Sequence, residues 1–264
     1  MQNLVSHFEA FLERIPLEKY RKDLLHIKIV EQDLPKDLNP LADIYSIYWV
    51  EEVKDLPDYE EFFEAWWQKH LKPIDEFIKK YFWGCSYEFV RLGFKARLYR
   101  TFISVLTQFH FCYSWKSFCS APLKASAELD MKGIDAVVEY EGCPVALQVK
   151  KETYRPEASG SGRFVRREWN VCMMIEIPYT ITAPEDWKKQ VERARREDTR
   201  RRYAQFLWLA ENLQKWLENG FVVFQPTYPQ LVEQYIAREK PILSSDATRI
   251  VPWDILLDSL RESL

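Results

Sequence analysis

Glycine is scarce in this chain, with seven among 264 residues. Neither GxGxxG nor GxxxxGK(S/T) occurs, so both glycine-rich turns that cradle nucleotide phosphates are missing and no nucleotide cofactor is expected. Histidine is scarcer still: His7, His26, His70 and His110 lie far apart, which excludes the HExxH and HxxxH metal pairs. The five cysteines, at 85, 112, 119, 143 and 172, form no CxxC pair and are odd in number. That pattern argues against a disulfide framework or a zinc ribbon and points to the reducing cytoplasm. No run approaches the ~20 apolar residues of a membrane span. The opening MQNLVSHFEAFLERI carries acids and no long apolar stretch, so no secretory leader is expected. Charge of one sign is lacking too: the formal net charge is −3, and nucleic-acid binding would need a local basic patch.

What is present suits a folded protein with a substantial core, since apolar residues reach 47% and charged residues 29%. Residues 1–80 read as short helices interrupted by Pro16, Pro35, Pro40 and Pro57, with Leu4, Val5, Phe8, Phe11 and Leu12 at helical spacing. We read this stretch as a helical N-terminal subdomain packed on a core formed by residues 81–264. Residues 86–107 read as a longer helix, and the aromatic FHFCYSW (109–115) reads as a strand. GIDAVVEYEGCPVALQVKK (133–151) reads as a β-hairpin turning at Glu141-Gly142 or Gly142-Cys143. A polar loop (152–168), a strand within VCMMIEIPYTI (171–181), a long helix from Pro184 to Asn219, a short strand FVVF (221–224) and a helix at 253–263 follow.

The hairpin carries the chemistry. Side chains alternate along a strand, so either turn places Asp135, Gln148 and Lys150 on one face. Ile134, Ala136, Val138, Val145, Leu147 and Val149 fall on the other, which makes that the core face. The three polar residues meet at one end of the hairpin. A carboxylate beside a main-chain carbonyl suits Mg²⁺, a hard cation that prefers oxygen, with the Val149 carbonyl and the Gln148 amide oxygen as further donors. A lysine alongside can orient water or steady charge on a phosphate, and metal plus lysine suffices to cut a phosphodiester.

The pattern G-I-D-x₁₂-Q-V-K resembles the core of the PD-(D/E)xK nucleases. The stretch ELDMKGID through LQVKKETYRPEASGSGRF further resembles the TaqI-like type II restriction endonucleases. The resemblance implies an α/β fold, a mixed central sheet flanked by helices, with the helical N-terminal subdomain added. It implies Mg²⁺-dependent cleavage of double-stranded DNA, with Mn²⁺ as a possible substitute ion. Asp135 would be the principal metal ligand, Lys150 the catalytic lysine and Gln148 the middle position. That middle position usually carries an acid, so Gln148 leaves one charge missing. Asp130, nearest in sequence, ranks first to supply it as an additional catalytic and metal-binding acid, ahead of Glu128 and Glu88.

Between residues 150 and 202 stand 14 Lys and Arg against nine Asp and Glu, a surplus of five, which leaves −8 for the rest. Lys151, Tyr154, Arg155, Arg163, Arg166 and Arg167 lie in or beside the polar loop and are candidate DNA contacts. Arg193, Arg196 and Arg200 would share one helical face, either solvated or against phosphate. A palindromic recognition site would imply a homodimer. The sequence also admits two other readings: a DNA-binding relative without activity, favoured by Gln148, and a structural or protein-binding domain.

Overall fold

The computed structural model describes residues 2–152, 171–241 and 248–264. The chain forms two compact units, one of Gln2–Phe109 with Leu217–Phe221, the other of His110–Trp216 with Val222–Leu264.

The first unit is helical. It contains α1 (Gln2–Glu13), α2 (Leu17–Leu24), a 3₁₀ turn at Lys36–Leu38, α3 (Leu41–Tyr48), α4 (Tyr59–Lys69), α5 (Leu71–Tyr81) and the first part of α6 (Tyr87–Phe118). Pro16, Pro35 and Pro40 each stand directly before the first residue of a helix or turn, where a missing N–H costs nothing. Asp58 opens α4 with a capping box: its carboxylate accepts the Glu61 N–H, and the Glu61 carboxylate accepts the Asp58 N–H. Aromatic rings fill the interior, with Phe62 stacked on Phe102 at 5.6 Å and Tyr59 edge-on to Tyr99 at 5.2 Å.

The second unit is built on a five-stranded mixed sheet in the order β1-β2-β3-β4-β7. The strands are β1 (Leu123–Lys124), β2 (Ala136–Tyr140), β3 (Cys143–Glu152), β4 (Met173–Thr180) and β7 (Arg249–Val251). The pairs β1–β2 and β2–β3 are antiparallel, while β3–β4 and β4–β7 are parallel. Every residue of β4 is buried, as a parallel strand covered on both faces requires. Four helices belong wholly to this unit besides the short α7 (Ala127–Met131): α8 (Pro184–Arg193), α9 (Glu197–Asn212), α10 (Thr227–Glu239) and α11 (Trp253–Glu262). Helices α9 and α11 both contact β4. A separate two-stranded ladder joins β5 (Gln214–Trp216) to β6 (Val222–Phe224). No described helix is long and apolar enough to cross a membrane.

Three local expectations are corrected. Residues 109–115 are not a strand; they continue α6, which runs to Phe118. All of residues 105–115 are buried, so this stretch has no polar stripe to reveal its helical period, and packing overrides its aromatic β-propensity. The expected long helix from Pro184 to Asn219 is two helices and a strand. Ala194 and Arg196 adopt extended backbone angles, and α8 and α9 fold back to pack against each other. Arg193, Arg196 and Arg200 therefore share no continuous helical face. Arg200 instead bonds back to the Ala194 carbonyl at 3.0 Å and pairs with Glu197 at 3.5 Å.

Candidate active site

The hairpin turns at Glu141-Gly142, with Tyr140 paired to Cys143 and Ala136 to Leu147. Both turn residues have positive φ, 48° and 80°, the geometry whose twist matches that of the strands. Extending the register by one residue would set Asp135 opposite Gln148. Instead, the Asp135 N–H donates to the Leu147 carbonyl at 3.0 Å, so the chain leaves the regular ladder there. The Asp135 side chain takes over: its Oδ2 accepts the Val149 N–H at 2.6 Å.

Asp135 is buried, at 5% exposure. Desolvation pushes its carboxyl well above the usual carboxylate range, and the neighbouring charge of Asp130 pushes it further. The Val149 N–H and the Lys150 ammonium oppose that shift. Asp130 sits on α7, capped at its start by the Ser126 hydroxyl. Of the three acids considered for the missing charge, Asp130 is the one acting on Asp135. Glu128 is exposed and paired with Lys132 at 2.6 Å, and Glu88 is exposed at the start of α6. The Gln148 amide nitrogen donates to the Gly133 carbonyl at 3.1 Å. Lys150 is half-buried, and Lys151, next along the strand, is exposed. Tyr154, Arg155, Arg163, Arg166 and Arg167 lie outside the described residues.

Sequence reasoning missed Glu176. It lies on β4 opposite Gln148 in the parallel register. Its Oε1 pairs with the Lys150 ammonium, and its Oε2 accepts the Trp253 backbone N–H at 3.4 Å. A lone acid within eight buried positions was the available signal. Glu152, two residues past Lys150, is also buried and pairs with Arg202 at 3.3 Å. Desolvation raises the Glu152 carboxyl; Arg202 lowers it, and the nearby Glu176 raises it again.

Among the described residues no three His, Cys, Asp or Glu side chains converge on one point. The donor set at Asp135 nevertheless fits a hard divalent cation. Two carboxylates, Asp135 and Asp130, repel each other beside a buried position, and carboxylate oxygens are donors that a hard cation prefers. A cation there would relieve both the desolvation and the repulsion.

A model of the TaqI restriction endonuclease family matches residues 5–236. The chain is 47% identical over 256 residues to the type II restriction enzyme TaqI of Thermus aquaticus, covering 96% of this chain and 94% of that protein. It is 46% identical over 256 residues to the type II restriction enzyme TthHB8I of Thermus thermophilus, with the same coverage. No solved structure matches the chain.

Proposed function

The chain belongs to the TaqI restriction endonuclease family, and from that premise we propose that Asp135, Asp130, Gln148 and Lys150 are its catalytic set. The protein is a type II restriction enzyme, a site-specific deoxyribonuclease that hydrolyses phosphodiester bonds of double-stranded DNA. The observation that carries the site is the buried Asp135 carboxylate, fixed by the Val149 N–H and flanked by Asp130 and Lys150.

In this reading Asp135, Asp130, the Val149 carbonyl and the Gln148 amide oxygen hold the cation, with Mg²⁺ as the physiological ion and Mn²⁺ as a substitute. When bound, the cation supplies a Lewis acid that lowers the pKa of water and draws charge from the phosphate. The chain's own residues do the positioning. The Val149 N–H holds one Asp135 oxygen and so fixes the direction of the other. Lys150 places a positive charge beside the same carboxylate, where it orients water or takes up charge developing on the phosphate oxygens. Lys151 and the basic segment holding Tyr154, Arg155, Arg163, Arg166 and Arg167 contact the DNA backbone or base edges, as their charge surplus supports. A palindromic target favours a homodimer. Five cysteines, odd in number and without a CxxC pair, favour a cytoplasmic enzyme.

Plasmid cleavage tests this reading. Wild type is expected to give discrete fragments with Mg²⁺ and none with EDTA, while Lys150→Ala gives only trace, slow cutting with Mg²⁺ and none with EDTA. Wild-type fragment yields from Lys150→Ala would remove Lys150 from the mechanism.

A further inference from the structure

A lysine ammonium rides on four rotatable bonds and samples many positions unless something fixes it. Lys150 does not hang free: Glu176 holds its ammonium. Glu176 is itself restrained in two ways. Its backbone belongs to β4, every residue of which is buried. Its second carboxylate oxygen faces the first N–H of α11, at Trp253, where the positive end of the helix dipole favours an anion.

Trp253 is held in turn. Its ring stacks on Phe206 with centroids 4.7 Å apart and planes at 28°. The Arg202 guanidinium lies over both rings, 5.4 Å from Trp253 and 5.6 Å from Phe206. Arg202 also donates to Glu152 at 3.3 Å, and Glu152 stands two residues beyond Lys150 on the same face of β3. The contacts thus close a circuit: Lys150 to Glu176, to Trp253, to Arg202, to Glu152, and back along β3. Four side-chain charges alternate in sign around it. Two strands and two helices far apart in sequence are tied together at the lysine.

We propose that Glu176 is a positioning residue for Lys150, and that Arg202 secures the arrangement through Glu152 and the Trp253 ring. The inference rests on the reading of Lys150 as the catalytic lysine. Glu176 acts on cleavage only by holding that ammonium in place, and it contributes nothing to the affinity for DNA or for the cation.

The test uses the full-length protein and single-turnover plasmid cleavage, with DNA binding measured in Ca²⁺. Glu176→Gln is expected to slow cleavage by about 10–100-fold, the usual effect of losing a partner that orients a functional group. Its DNA affinity and its half-saturating Mg²⁺ concentration are expected to match wild type. In a Lys150→Ala background Glu176→Gln should cause no further loss, because its effect runs through Lys150. Glu176→Asp, which keeps the charge, should recover part of the rate. Arg202→Lys keeps its charge but loses the planar fork, and should cost several-fold in rate with binding intact. A wild-type rate for Glu176→Gln, a further loss in the double variant, or a raised Mg²⁺ requirement would each overturn the proposal. If Glu176→Gln does not fold, Arg202→Lys decides: a wild-type rate overturns the proposal, and a slower rate with intact binding supports it. If Lys150→Ala itself cleaves at the wild-type rate, the reading of Lys150 has failed and takes this inference with it. If Lys150→Ala cuts only in traces while Glu176→Gln is fully active, only the positioning role fails.

Discussion

Asp135 accepts the backbone N–H of Val149 through Oδ2 at 2.6 Å, so a carboxylate serves as the last rung of the β2–β3 ladder. The carboxylate is buried and its pKa is raised by desolvation and by Asp130. The folded chain therefore keeps a proton that the unfolded chain releases. Stability from this group is fully present below the unfolded pKa and is lost as pH rises through the folded one. Asn keeps an acceptor for Val149 and carries no charge. In EDTA, Asp135→Asn is expected to melt higher than wild type at neutral pH, with the gain shrinking toward about pH 4, the ordinary carboxylate range. The same variant should not cleave DNA. Thermal melts across pH, paired with plasmid cleavage, check both outcomes; a lower melting temperature at neutral pH would contradict the cost assigned to the buried charge.

Gln148 occupies a position where an acid would add charge beside Asp135 and opposite Glu176. Gln148→Glu is expected to lower the Mg²⁺ concentration for half-maximal cleavage by about tenfold or more, the scale of one extra charge a few Å away in a partly screened site. Without metal the variant should be less stable, since it adds a fourth carboxylate to Asp135, Asp130 and Glu176. A Mg²⁺ titration with melts in EDTA measures both. An unchanged Mg²⁺ requirement would place Gln148 outside the metal's ligands.

The hairpin turn sits at the opposite end of β2 and β3 from Asp135 and Lys150, and so separates stability from catalysis. Gly142, at φ 80°, is expected to lose about 1 kcal/mol when changed to Ala, the cost of a Cβ in the left-handed region. Glu141→Asn, at φ 48°, should gain a few tenths of a kcal/mol because Asn tolerates that conformation. Denaturant melts read both changes. Cleavage rates should stay at wild type, and a rate loss would mean that the turn itself takes part in function.

Gly93 lies inside α6, where glycine is intrinsically about 1 kcal/mol worse than alanine. A Cβ there would meet Ile29 side-chain atoms at 2.8 Å and Val30 Cγ2 at 2.9 Å. Overpacking costs about 1–3 kcal/mol, which outweighs the propensity gain. Gly93→Ala is therefore expected to be less stable by about 1 kcal/mol, and Ile29→Ala in the same background should recover part of it by removing Cγ2. A stabilised Gly93→Ala would show that the segment at Ile29 yields freely.

The hairpin was legible because a two-residue period and a Glu-Gly turn leave few registers, but the strict alternation that put Ile134 with Ala136 and Leu147 fails at its end: the Asp135 N–H bonds to the Leu147 carbonyl and Ile134 packs with Ala146 and Met174. The family was legible because Asp135, Gln148 and Lys150 fall within a recognisable stretch, and the family model spans residues 5–236. The aromatic run at 109–115 misled because a helix buried on every side shows no period. The break between α8 and α9 carries no glycine or proline, so local chemistry offered no signal for it.

The sequence by itself determined which residues alternate along β3, where the hairpin turns among two choices, and what kind of chemistry an Asp and a Lys at one strand end can do. These follow from short-range geometry, in which each residue constrains its neighbours. Only the tertiary structure decided that β4 pairs parallel to β3, with Glu176 opposite Gln148, and that α11 presents its first N–H to that carboxylate. Lys150 and Glu176 are 26 residues apart, and Glu176 and Trp253 are 77 apart. Their meeting depends on how the strands and helices pack to bury apolar surface, and no local pattern encodes that outcome.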